Sequence, residues 1–155
     1  MISQTVEYAL RAILTLAQNH GKPCTAQRIS ELTEVPAPYL SKMMQMLVRN
    51  GLVLSRRGLH GGFLLARSPE DLTVWDVLEA VEPLKRIREC PLRLGAHRTN
   101  LCALHRRLDN AIESVEEAFK AATISTLLNE EGGVTPLCDK GGDSSLPITI
   151  DVPEK

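Results

Sequence analysis

Between Pro36 and Pro69 the apolar residues change their period, and few folds accommodate such a change. Leu40, Met43, Met44, Leu47 and Val48 recur at three- and four-residue spacing, which lays one apolar stripe along a helix of about four turns. Pro38 suits the first turn of that helix and Gly51 its end. After Gly51 the rhythm alternates, through Leu52 and Leu54 and then Phe63 and Leu65, as in a half-buried hairpin. The tip between the two strands reads RRGLHGG. Its glycines at 58, 61 and 62 permit positive backbone dihedrals and close approach to a neighbouring surface, while Arg56, Arg57 and His60 project beside them.

Charge points the same way. The stretch holds five basic side chains (Lys42, Arg49, Arg56, Arg57, Arg67) and no Asp or Glu, in a chain whose formal net charge is -1. Positive charge gathered on one segment of a near-neutral chain is the footprint of a polyanion-binding surface. Opposite the apolar stripe lie Ser41, Lys42, Gln45 and Arg49, side chains that hydrogen-bond base edges or phosphates. A polar-faced helix followed by a basic hairpin is the plan of a winged helix-turn-helix. In that plan the helix faces the major groove, Arg57 enters the minor groove with His60 nearby, and Arg56 helps hold phosphate. The plainer alternative is a solvated charged face over an ordinary core helix.

The flanking residues fit the first reading. Val6, Leu10, Ile13, Leu14 and Ala17 trace one face of a helix over 3–19. Glu7 sits in its opening turns, where the helix dipole alone favours an acid. Thr25 is placed to cap a second helix carrying Ile29 and Leu32, with Cys24 a small, partly buried residue before it. A turn over 33–38 then delivers the polar-faced helix. Beyond the hairpin, Thr73 caps a helix through Trp75, Val77, Leu78 and Val81 that Pro83 stops, with Trp75 expected to anchor it against the winged domain.

The next segment, 83–103, has no clean period and reads as a loop. Cys90 and Cys102 are separated by eleven residues, and His105 follows Cys102 by three. On a helix that last spacing puts thiol and imidazole on one face, where they can converge on a metal or cluster. Arg88, Arg93 and Arg98 nearby favour thiolates. The alternative is a set of ordinary thiols with a surface histidine. From about Leu104 to Leu128 a long amphipathic helix carries Leu108, Ala111, Ile112, Val115, Ala118, Phe119 and Ala122 on one stripe. Its length exceeds what the small domain needs, so it is expected to be a dimer contact, the alternative being packing back onto its own domain. Residues 130–155, rich in Gly, Pro, Ser and acids, are expected to form a flexible tail with Cys138 outside any site.

The fold class is therefore mainly α: a winged helix-turn-helix domain over 1–82 with a two-stranded β wing, a cysteine-containing cofactor loop over 83–103, a C-terminal dimerisation helix over 104–129 and the tail. No apolar run reaches membrane length and the N-terminus lacks a signal-peptide layout, so a cytoplasmic protein without membrane partners is expected. Aromatics make up 3% of the chain, which disfavours a stacking platform for single strands.

Several phrases together resemble a known family. Glu7 to Arg11, Tyr39-Leu40, Asn50-Gly51-Leu52-Val53, Arg57-Gly58 followed by Gly61-Gly62, Leu65-Ala66-Arg67, and Asp76-Val77 with Ala80-Val81-Glu82 are similar to the Rrf-two family of bacterial transcription regulators, over residues 1–128. The resemblance implies a homodimer that binds a palindromic site on double-stranded promoter DNA. For the cluster-binding members it implies three cysteines spaced C-x5-C-x5-C, with a fourth ligand from elsewhere. Here Cys90 matches the first and Cys102 the third, while the middle position falls on Ala96, with His97 beside it. By resemblance the further ligand is His105 or Glu7, with His97 also available. Without the middle cysteine, a two-iron, two-sulfide cluster with mixed ligation is expected rather than a four-iron one. Such a regulator, expected to be a repressor, would sense redox state, iron-sulfur status or nitric oxide. The rivals are a cluster-free regulator controlled by a protein or metabolite, a protein-interaction module, and a thiol oxidoreductase. The last lacks a C-x-x-C.

Overall fold

In the computed structural model, residues 2–90, 101–130 and 136–137 are described. The order of elements is α1 (Gln4–Gln18), α2 (Ala26–Thr33), α3 (Ala37–Arg49), β1 (Val53–Arg56), β2 (Gly62–Leu65), α4 (Val74–Val81), α5 (Ala103–Ala121) and α6 (Ile124–Leu128). Each early helix starts where a hydroxyl can cap it: Ser3 accepts from the Val6 amide and Thr25 from the Arg28 amide. α3 has no such cap and begins instead on proline, whose missing N–H would be unpaired there anyway.

One core joins α1–α4, the hairpin and α6. Ile13 and Leu16 of α1, Ile29 of α2, Leu40, Met44 and Leu47 of α3, Val53 of β1, Leu72 and Val77 are essentially inaccessible. Apolar burial on this scale is the main force closing small helical domains. α4 is fixed by a complete capping box, in which Thr73 accepts from the Asp76 amide and Asp76 accepts from the Thr73 amide. Thr73→Ala is expected to lower stability by about 1 kcal/mol in chemical denaturation, through loss of that cap.

Three expectations need correction. β1 and β2 pair antiparallel with Val53 opposite Leu65 and Arg56 opposite Gly62, but the inward residues are Leu52, Val53, Leu64 and Leu65. Leu54 is 49% exposed. The strands are four residues long and enter the core only at their base, so burial follows depth rather than strict alternation. Second, the C-terminal helix is not continuous to Leu128. It ends at Ala121, and an isolated antiparallel bridge between Thr73 and Thr123 turns the chain into α6. Ile124, at 0% exposure, then returns to this core. Third, Trp75 is only half-buried, with the Lys120 ammonium of α5 lying 5.5 Å from its ring centroid. It joins α4 to α5 rather than anchoring α4 to the wing side. Of the tail, residues 136–137 are described: the Pro136 carbonyl accepts from Gln18, and Leu137 packs on the core. Cys138 lies outside the described residues.

Candidate nucleic-acid interface and cysteine loop

α3 presents two faces of opposite character. Leu40, Met43, Met44 and Leu47 are buried, while Ser41, Lys42, Gln45 and Arg49 are all exposed. Its entry is pinned by the preceding turn. Thr33 donates to the Ile29 carbonyl and accepts from the Val35 amide, Ser30 donates to the Val35 carbonyl, and Arg11 donates to the Thr33 carbonyl. Its exit is pinned by Asn50, whose amide donates to Met46 O at 2.9 Å and to Ala80 O of α4 at 3.0 Å. The polar face is thus held in a fixed direction at both ends, the precondition for reading a groove. Arg11 and Asn50 were not legible as positioning residues, because each acts on a carbonyl far along the chain.

The wing carries Arg56, Arg57 and His60 exposed beside Leu59, which is 97% exposed at the tip. The tip closes with the Gly61 amide donating to Gly58 O at 2.9 Å. Below it, Cys24 forms an antiparallel bridge to Phe63, each backbone N–H donating to the other's carbonyl at 2.8 Å. Cys24 is therefore a third rung of the wing; burial pushes its thiol up from the ordinary value, partly offset by Arg28. The fifth basic side chain, Arg67, lies 3.7 Å from Asp76 and is turned toward α4.

The cysteine loop is described at its two ends. Cys102 is the N-cap of α5, and its Sγ lies 3.3 Å from His105 Nδ1. Cys90 is buried at the other end. Arg93, Ala96, His97 and Arg98 lie outside the described residues. Glu7 is engaged locally: its Oε1 lies 2.6 Å from Arg11 Nε, within the helix turn and close to the residue that pins the α2–α3 connection. Among the described residues no group of three or more His, Cys, Asp or Glu side chains converges as a metal site. Cys102 and His105 come together; Cys90 and Glu7 do not join them in such a group.

One constellation had no counterpart in the sequence reading. Arg86 grips Asp109 of α5 through two bonds, Nε to Oδ1 at 2.6 Å and Nη2 to Oδ2 at 2.7 Å, and the Ile87 amide adds a third to Oδ1 at 2.9 Å. Glu113 accepts from Arg86 at 2.9 Å and Glu116 lies 3.8 Å away. The Arg86 and Asp109 side chains are 14% and 11% exposed. The guanidinium holds the Asp109 carboxyl down to about 2. Because this value is depressed below 3.8, the stabilisation it gives is present above that pH and is lost as the pH falls toward the folded value. The Lys120 ammonium likewise lowers Glu116.

The whole described architecture has close counterparts. The family model described as Rrf2, iron-dependent transcriptional regulator, matches residues 2–130. The chain belongs to the Rrf2 family. An HTH-type transcriptional regulator of Aquifex aeolicus is 32% identical over 134 residues, covering 84% of this chain and 93% of its own. The regulator IscR of Sodalis glossinidius is 27% identical, covering 96% and 90%. Among solved structures, T. potens IscR superposes with a TM-score of 0.69 at 27% identity, covering 83% of this chain and 86% of its own. CymR, the global cysteine regulator of B. subtilis, gives 0.68 at 25% identity, covering 82% and 95%. This Rrf2 protein is accordingly a transcriptional regulator of winged-helix fold, with DNA its implied partner. Among the described residues, no helix is long and apolar enough to cross a membrane.

Proposed function

We propose that the protein is a homodimeric repressor that binds a palindromic duplex site and is controlled through its cysteine loop. The observation that carries the DNA reading is the exposed set Ser41, Lys42, Gln45 and Arg49 on α3 with Arg56, Arg57 and His60 on the adjoining wing, all from a stretch, 36–69, without Asp or Glu. In this assignment α3 reads the major groove, Arg57 enters the minor groove and Arg56 holds phosphate.

The second copy follows from α5. Leu104 is 63% exposed, Leu108 47% and Val115 39%, and the only residue this 19-residue helix buries is Asp109. With Ile2 and the 83–87 segment, the stripe lines a groove of 690 Å³. The helix also carries Arg106 and Arg107 near its start and Glu113, Glu116 and Glu117 further on, with Glu113 and Glu116 already facing Arg86, and Glu116 facing Lys120, in the same chain. Two copies crossing antiparallel about a two-fold axis bring basic block against acidic block over a shared apolar seam. That complementarity favours a second copy over an unrelated helix.

For the signal, the Cys102–His105 pair fits one edge of a mixed thiolate and imidazole site, and the likeness to IscR supports an iron-sulfur cluster. Cys90, Cys102 and His105 would hold it, with Glu7 or His97 completing the set; Glu7 would first have to leave Arg11. A two-iron cluster supplies one-electron chemistry and a target for nitric oxide. Protein purified without oxygen is expected to be brown, with iron and sulfide in equal amounts, and Cys102→Ala is expected to bleach it. A colourless, iron-free wild type that still binds DNA would sink the cluster and leave the second reading, a regulator controlled by a protein or metabolite.

A further inference from the structure

Arg86 and Asp109 stand at the two ends of the cysteine loop, Arg86 four residues before Cys90 and Asp109 seven after Cys102. Their contact therefore closes the base of a long excursion of chain. It also does something to the surface. Pro83, Leu84 and Ile87 form one wall of the apolar groove, and Leu108, Ile112 and Val115 of α5 form the other. Arg86 adjoins Ile87 of the first wall and Asp109 adjoins Leu108 of the second, and the Ile87 amide itself donates to Asp109. Three hydrogen bonds to one carboxylate therefore tie 83–87 to α5 beside the groove, which Val6 and Leu78 also line.

We infer that the Arg86–Asp109 clamp is the positioning device that builds the dimer groove, so that the affinity between two copies depends on a contact made within each. This rests on the dimer reading given above. A loose clamp would leave 83–87 free to move off α5, and the seam would lose one side. An apolar surface that must first be ordered binds more weakly than one already in shape. Glu113 and Glu116 reinforce Arg86 from more exposed positions, and exposed ion pairs contribute little. The effects should therefore be graded by residue and not shared evenly over the charges.

The test measures the dimer dissociation constant of the full chain by sedimentation equilibrium, with far-UV circular dichroism as a check on folding. Trp75, the single tryptophan, lies against Lys120 and reports the docking of the far end of α5 by its emission. Arg86→Met should weaken dimerisation about tenfold or more by leaving the buried Asp109 carboxylate with the Ile87 amide but no counter-charge, with tryptophan emission unchanged. Arg86→Lys, which cannot serve both Asp109 oxygens with a planar fork, should fall between. Glu31→Gln, on α2 and outside the groove, should match wild type. Should Arg86→Met fail to fold, Asp109→Asn is nearly isosteric and should weaken the dimer in the same direction. A folded Arg86→Met or Asp109→Asn protein with the wild-type constant would overturn the clamp's role while leaving the dimer standing. A wild-type monomer at tens of micromolar would overturn the dimer reading, and the clamp's role with it.

Discussion

Titrated against a duplex containing its site, the protein is expected to lose affinity by roughly ten-thousandfold between about 50 and 200 mM salt. Each protomer exposes Lys42, Arg49, Arg56 and Arg57, so a dimer brings about eight DNA-facing cations and releases a comparable number of counterions. The overall charge of -1 would predict nothing of the kind, which is why the slope tests the local surface rather than the composition. Within that total, Arg57→Ala should cost about 1–3 kcal/mol and cost most on sites with narrow A·T-rich minor grooves. Equal loss on every sequence would reduce Arg57 to a phosphate contact. A flat salt response in fluorescence anisotropy would sink the DNA assignment altogether.

Helix α3 was legible because its two periodicities, apolar and polar, are local. Leu40, Met43, Met44 and Leu47 need only the 3.6-residue repeat to be assigned inward, and the same repeat places Lys42 and Gln45 outward. The caps Thr25 and Thr73 were legible for the same reason, since each bonds three residues ahead. Depth was not. Leu54 and Trp75 are large and apolar, and nothing in their neighbours along the chain says that the first stands on an open strand and the second lies under Lys120. The break at Ala122 was also hidden, because the amphipathic pattern runs through it. What decides it is the bridge from Thr123 back to Thr73 and the burial of Ile124, a choice of tertiary packing over helix propensity.

The cysteine loop shows the same division. Cys102 and His105 were read as a pair from their spacing and do meet, although Cys102 turns out to sit at the N-cap rather than inside the helix. Glu7 was placed among the ligands by resemblance alone, and in this structure it is held by Arg11. Arg86 and Asp109 carried no signal: an arginine in an aperiodic loop and an acid beside an apolar stripe look solvated until the fold brings them together. Long-range ion pairs of this kind are recognised by burial, at 14% and 11% exposure, and not by sequence distance.

Gly62→Ala is expected to damage the wing on two counts, backbone conformation and backbone clash. Gly62 has φ +151°, a conformation that side-chain-bearing residues rarely adopt, and a β-carbon there would lie 2.6 Å from the Cys24 carbonyl oxygen and 2.8 Å from its carbon. Both obstacles are backbone, and Cys24 cannot retreat without breaking the paired hydrogen bonds that it exchanges with Phe63. The substitution should therefore cost about 2–4 kcal/mol in urea unfolding and displace Arg56 and Arg57 from the groove. Gly21→Ala provides the contrast. It has φ +84° but nothing within 4 Å of the added carbon, so it should carry the conformational cost alone, about 1 kcal/mol. Equal losses at the two positions would mean that the wing tolerates movement of Cys24. The close approach of the third rung would then be a consequence of the wing's shape and not what fixes it.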